Sequence, residues 1–290
     1  MLFPETLYEK DLPADPASRR LVMSLANGRC TAAVWDDNVP TSLRVVATDR
    51  ISVSDTGLWT GLEDFLYDNP GLLSPMARTT VLLDTPDVAI VPQSMDESEA
   101  SRLLRMTAVS DDAADPNLYQ CAWEAVGSCK IGMLLPSKLY RFIRRSFQPV
   151  SLSWYASVIT RYWSHIVATT AEDNTSHHIH VLAVVGSPCR VTVIALNDAG
   201  NLIAAISRKG TGSSDLSYYI LSLLTSLSAD IRSEVSLSLY GNPAVTASIK
   251  KELSGWIDAH LHVHVTGKPS IIDQAQFSLL EPEILAAIES

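Results

Sequence analysis

At 290 residues and 47% hydrophobic content, the chain can bury a sizeable core in one or two domains. A net charge of −10 without a basic block argues against nucleic acid or an anionic membrane as partner. No apolar run approaches the ~18 uncharged residues of a membrane helix, and Met1 to Ala17 carries Pro, Glu and Asp where a secretory signal would be basic and then apolar, so a cytoplasmic protein is expected.

Leu21 to Leu25 reads as a short buried strand, and Asn27-Gly28 is a turn pair tolerant of positive φ. Cys30 to Trp35 makes a second strand, Asp36 to Pro40 a break, and Leu43 to Val53 a third strand rich in β-branched residues. Leu58, Leu62, Phe65 and Leu66 share one stripe of a helix. Thr79 to Leu83 and Val88 to Val91 are strands, and Met95 to Thr107 is a helix opened by acidic residues that suit its N-terminal dipole. Asp111 to Asp115 is an acidic loop. Leu118 to Val126 and Lys130 to Leu134 form a hairpin, followed by helices over Ser137 to Phe147 and Trp154 to His165.

The grammar then repeats. Ile179 to Val185 and Cys189 to Leu196 flank Gly186-Ser187-Pro188, and Leu202 to Ser207 follows the turn Asn197 to Asn201. The next helix places Leu216, Ile220, Leu223 and Leu224 at the spacing of its counterpart. Val235 to Tyr240 is a strand, Pro243 to Trp256 a helix with proline in its first turn, Leu261 to Val265 a strand and Pro282 to Ile288 a helix. Ile179 follows Leu21, and Leu216 follows Leu58, by the same interval, so the chain reads as an internal duplication. Strand meanders followed by helix–strand units imply two mixed sheets with helices on their faces, and a ligand cleft is expected between such halves.

Cys30, Cys121, Cys129 and Cys189 form no C-x-x-C pair and read as small buried hydrophobes in a reducing compartment. His260, His262 and His264 share one strand face, and His177, His178 and His180 open another strand. With Val235 to Tyr240 between those strands, the two groups stand about 9.5 Å apart, too far for easy shared first-shell binding, so no metal site is expected from them. The loop from Arg208 to Asp215 opens a helix but lacks the Walker lysine spacing, and Asp215 sets a negative charge there. It reads as a turn with Ser213, Ser214 or Asp215 as N-cap. No Gly-x-Ser-x-Gly elbow is present. Asp36 and Asp37 fall in a turn instead of facing Asp49 as paired nuclease carboxylates would.

Four segments carry a resemblance: Leu21 to Trp35; Pro92 to Leu104; Leu134-Leu135-Pro136; and Asp215 to Leu221 with Tyr240-Gly241-Asn242 downstream. Through them the chain resembles the actin-like ATPase superfamily (sugar kinases, Hsp70-type chaperones, actin, pilus-assembly proteins). More narrowly, it is similar to a bacterial domain-of-unknown-function family of that ribonuclease-H-like fold. The resemblance implies an α/β fold with an N-terminal tail over 1–19, a first actin-like half over 20–170 carrying the inserted hairpin and helices, and a second half over 171–290. It also implies ATP as the ligand to test, held at the strand turns Asn27-Gly28 and Gly186-Ser187 and at the adenosine-side turn Gly241-Asn242. Active members carry an Asp-x-Gly-type turn in each half, whereas this chain has Ala26-Asn27-Gly28 and Gly186-Ser187-Pro188, neither with a carboxylate for magnesium. The reading is therefore a non-catalytic module that binds a protein partner or itself. The alternative is an ATPase or small-molecule kinase with atypical metal ligands among Asp49, Asp84 and Asp198.

Overall fold

The computed structural model describes residues 6–26, 28–48, 51, 57–85, 87–108, 115–170, 179–186, 189–227, 235–254, 261–262, 284 and 287, the side chains of 40, 41, 57–60, 168–170 and 261–262 excepted. The chain divides into two compact units. The first comprises Met1–Glu124, Ile131–Trp154 and Pro269–Leu280; the second comprises Ala125–Lys130, Tyr155–Lys268 and Glu281–Ser290.

In the first unit, β1 (Arg19–Ala26), β2 (Arg29–Asp36) and β3 (Val39–Thr48) meander antiparallel. Helix α1 (Gly57–Asp68) then leads to β4 (Arg78–Leu83), which runs parallel to β1. The α1 stripe is buried at Leu62, Phe65 and Leu66, as its spacing requires. A fifth strand, β8 (Val150–Trp154), lies parallel to β4 and completes the order β3-β2-β1-β4-β8. This strand departs from the expected pattern, which starts a helix at Trp154. The alternation Val150-Ser151-Leu152-Ser153 is a strand signal, and its Leu152 and Trp154 are buried. Helix α2 (Glu97–Thr107) is capped by Asp96, whose carboxylate accepts from the Ser98 and Glu99 amides. Helix α3 (Ser137–Ser146) precedes β8. A separate three-stranded sheet orders β5 (Val88–Pro92), β7 (Cys129–Pro136) and β6 (Tyr119–Val126).

Helix α4 (Tyr155–Thr170) begins the main segment of the second unit. Its sheet repeats the first, in the order β11 (Leu202–Lys209), β10 (Arg190–Asn197), β9 (Ile179–Gly186), β12 (Val235–Gly241), β13 (Leu261–His262). Strands β9 to β11 are antiparallel and β9, β12 and β13 parallel, so the duplication is one of topology as well as of pattern. Helices α5 (Ser213–Leu227) and α6 (Pro243–Leu253) bury Leu216, Ile220, Leu223, Leu224, Ile249 and Leu253 in one core with the β9, β10 and β12 side chains. Asn242 caps α6 and Pro243 occupies its first turn.

All four cysteines are free thiols. Cys30 is fully buried in β2, where desolvation pushes its thiol far above the usual range, while Cys121, Cys129 and Cys189 are half-buried. No helix among the described residues is long and apolar enough to cross a membrane.

Candidate functional site

In open sheets of this kind ligands sit outside the carboxyl ends of parallel strands, so the ends of β1, β4 and β8, and of β9 and β12, are the candidate positions in each unit. In the first unit the β1–β2 turn contains Gly28 at φ +76°, a left-handed conformation that glycine adopts without strain. Ala26 pairs with Arg29 across the turn, and the Ile51 amide donates to the Gly28 carbonyl at 3.0 Å. Asn27 lies outside the described residues. Asp84 follows the end of β4 half-buried, its amide donating to the Leu25 carbonyl at 3.3 Å.

Beside it, Thr85 Oγ1 donates to the Leu134 carbonyl at 3.2 Å and accepts from the Asp87 amide, joining this corner to β7. The end of β8 is held by Glu124 of β6. Ser153 Oγ donates to its Oε2 at 2.5 Å, and the Trp154 amide donates to its Oε1 at 2.8 Å. Glu124 is a carboxylate that sequence reasoning passed over. Its signal was an isolated acid inside the apolar run Ala122-Trp123-Glu124-Ala125-Val126.

In the second unit the turn after β9 is dominated by Arg190. This arginine is 3% exposed, and its guanidinium carbon stands 4.2 Å from the centroid of the fully buried Tyr155 ring. A Cβ added at Gly186 would lie 3.1 Å from Arg190 Nη2, so the absence of a side chain at 186 is what gives the guanidinium its place. Cys189, immediately before it, has φ +102°, a conformation rare outside glycine; its carbonyl accepts from the Gly210 amide at 2.8 Å. Ser187 lies outside the described residues.

At the end of β12, Gly241 has φ +134°, and a Cβ there would meet the Val185 carbonyl oxygen at 2.4 Å. The glycine thus serves a close approach between strands β12 and β9. Asn242 Oδ1 accepts from the Ala244 amide at 3.0 Å as the α6 cap.

The loop before α5 departs from its expected form. Residues 213 to 215 form the first turn of the helix instead of its cap. Asp215 reaches back so that the amide and the hydroxyl of Thr211 both donate to its Oδ2 at 2.7 Å. The Thr211 amide, then its hydroxyl, hold the Asp215 carboxyl below its ordinary value. Ser213 Oγ donates to Glu252 Oε1 at 2.8 Å; that bond first, with the Ser214 and Ser248 hydroxyls beside it, lowers the Glu252 carboxyl as well. Two carboxylates at this helix start oppose a phosphate there.

His180 Nε2 is 3.0 Å from Asp198 Oδ1, and β12 separates β9 from β13. His177, His178, His260, His264 and Asp49 lie outside the described residues. Among the described residues no group of three His, Cys, Asp or Glu side chains is placed to hold a metal.

The fold expected from the sequence implies ATP with magnesium, and the donor set at the two turns does not suit that metal. Neither turn supplies a carboxylate, and the second has a buried guanidinium, a donor-only group that cannot ligate a metal, beside Gly186.

Neither a protein-family model nor a curated protein matches the chain. Among solved structures, it is similar to a Bacteroides thetaiotaomicron VPI-5482 protein with an actin-like ATPase fold and unknown function, at TM-score 0.72 and 13% identity over 95% of this chain and 97% of that one. It also matches a structure of the PilM–PilN type IV pilus biogenesis complex, at TM-score 0.47 and 11% identity over 95% of each chain. A third match is the cytoplasmic domain of EpsL, an inner membrane component of the Vibrio cholerae type II secretion system, at TM-score 0.38 and 11% identity over 94% of each chain. The first of these establishes the actin-like ATPase fold for this chain.

Proposed function

We propose that this actin-like ATPase fold works in the cytoplasm as a non-catalytic module that binds a protein partner or a second copy of itself. The observation that carries the reading is Arg190, whose buried guanidinium lies over Gly186 where a magnesium-holding turn would be required. The carboxylate-free sequence Ala26-Asn27-Gly28 in the first half supports it. Phosphoryl transfer depends on placed charge at the transferring group, so a half that has replaced its metal turn loses the largest contribution to that chemistry. In this reading the two sequence halves, 20–170 and 171–290, keep the architecture of a nucleotide-binding duplication and have given up its turnover.

A second reading, an ATP-binding enzyme with atypical ligands, is favoured by one observation: Asp84 stands at the carboxyl end of β4. Asp198, whose Oδ1 is 3.0 Å from His180 Nε2, is the other described carboxylate of this reading.

Calorimetric titration with ATP, with and without magnesium, beside a steady-state phosphate-release assay, separates the two. The expected result is no magnesium-strengthened binding and no turnover. Saturable magnesium-dependent binding with phosphate release establishes the enzyme instead. Binding without turnover makes Asn27, Gly28, Gly186, Ser187, Gly241 and Asn242 the positions to substitute in mapping the ligand.

A further inference from the structure

The whole-chain charge conceals a segregation of sign. From Ala125 to Ala171 there is no Asp or Glu, while Lys130, Lys138, Arg141, Arg144, Arg145 and Arg161 give the stretch +6, so the remainder carries −16 against the total of −10. The structure gathers four of these cations on α3: Lys138, Arg141, Arg144 and Arg145 are all exposed, and α3 itself bears no acid. None of the four makes an ion pair with a described residue; Arg144 rests on the Tyr140 ring at 5.5 Å. Lys138, Arg141 and Arg145 fall at i, i+3 and i+7 on one helical face about 10 Å long. A surface that serves only solubility intersperses the two signs. Here one helix presents a single sign in a chain of the opposite net sign.

We propose that the exposed face of α3 docks an acidic segment of a protein partner. Charge complementarity selects this occupant over the others. The apolar residues of α3, Leu139, Phe142 and Ile143, are buried in the unit, so the face offers nothing to insert into a bilayer. A nucleic acid extends its charge well beyond the Debye length of about 8 Å, into the field of a remainder at −16. A second copy arrives with its own charge of −10 and is repelled as a whole. A short acidic segment touches the four cations and little else. The inference deepens the protein-binding reading and rests on it, yet it concerns a surface distinct from the strand turns.

The test is fluorescence anisotropy of a labelled helical peptide carrying glutamates at i, i+3, i+4 and i+7, titrated with the full chain at 50 and at 200 mM salt. Saturable binding is expected at the lower salt, weakening by roughly tenfold at the higher. The double variant Arg141→Gln/Arg145→Gln and, separately, Lys138→Gln/Arg144→Gln lose about tenfold or more in affinity, while Lys250→Gln on α6 binds as the parent does. Circular dichroism confirms that each variant is folded.

No binding at low salt, or binding that survives both double variants, overturns the proposal. So does tighter binding to phosphatidylserine vesicles or to a single-stranded RNA 20-mer. Self-association that both double variants abolish overturns it too, in favour of a second copy. ATP turnover in the earlier assay overturns the non-catalytic reading instead, so the two failures are distinguishable.

Discussion

A methyl group at Gly241 would lie 2.4 Å from the carbonyl oxygen of Val185 and 2.9 Å from its Cβ, and no rotamer change relieves a clash between backbone and Cβ. The backbone at φ +134° adds strain for any L side chain. Gly241→Ala is therefore expected to cost about 3 kcal/mol or more in denaturant unfolding, whether or not any ligand is present. Asn242→Ala, which removes the α6 cap, costs about 1 kcal/mol. Ligand effects of substitutions at this turn have meaning only after those stability losses are measured. Gly132 is tight in the first unit for a different reason: a Cβ there would lie 2.4 Å from the side-chain ring of Trp123, whose Nε1 donates to Ser101 at 3.2 Å.

Helices α5 and α6 are joined at their polar edge by Glu252, which accepts from Ser213 at 2.8 Å and is approached by the Ser214 and Ser248 hydroxyls. Because these bonds favour the ionised form, the Glu252 carboxyl in the folded chain lies below its ordinary value of 4.5. A depressed carboxyl contributes stability that is present above the unfolded value and is lost as pH falls through the folded one. Because solvent screens this carboxylate, Glu252→Gln should lower Tm by no more than about 2 °C at pH 7, and the gap between variant and parent should close below pH 4.5, where the parent also takes up the proton. A gap that stays constant down to pH 3 would remove Glu252 from this role. Loss of the same bonds loosens the start of α5, where Asp215 and Thr211 form a second carboxylate clasp.

For the molecule as a whole, the paired meanders and their helices were legible because they depend on local periodicity. Leu216, Ile220, Leu223 and Leu224 announce their helix by spacing, and they are buried as that spacing demands. The position of β12 between β9 and β13 follows from the duplicated topology. What escaped joins residues from different elements. Arg190 over Gly186 needs Tyr155 of α4 as its floor, and Glu124 of β6 holds Ser153 and Trp154 of β8. No spacing rule links those positions. The strand β8 is hard to read locally, although Val150-Ser151-Leu152-Ser153 repeats the residues Val235-Ser236-Leu237-Ser238 of β12. The short run lies between the helical patterns of α3 and α4, which mask its ends. The basic face of α3 was obscured by averaging, since a net of −10 over the chain conceals a stretch of +6.

Cys30 supplies a built-in clock. Its thiol is fully enclosed in β2 and held protonated by burial, whereas the other three cysteines are half-buried. Alkylation proceeds through the thiolate, so excess maleimide should count three thiols on the native chain within minutes. The fourth should appear only as fast as the β1–β2 ladder opens. Mass spectrometry of the +3 and +4 adducts over time would then read the opening rate of the first unit without a probe attached to it, and a fourth adduct as fast as the others would mean that this ladder opens readily.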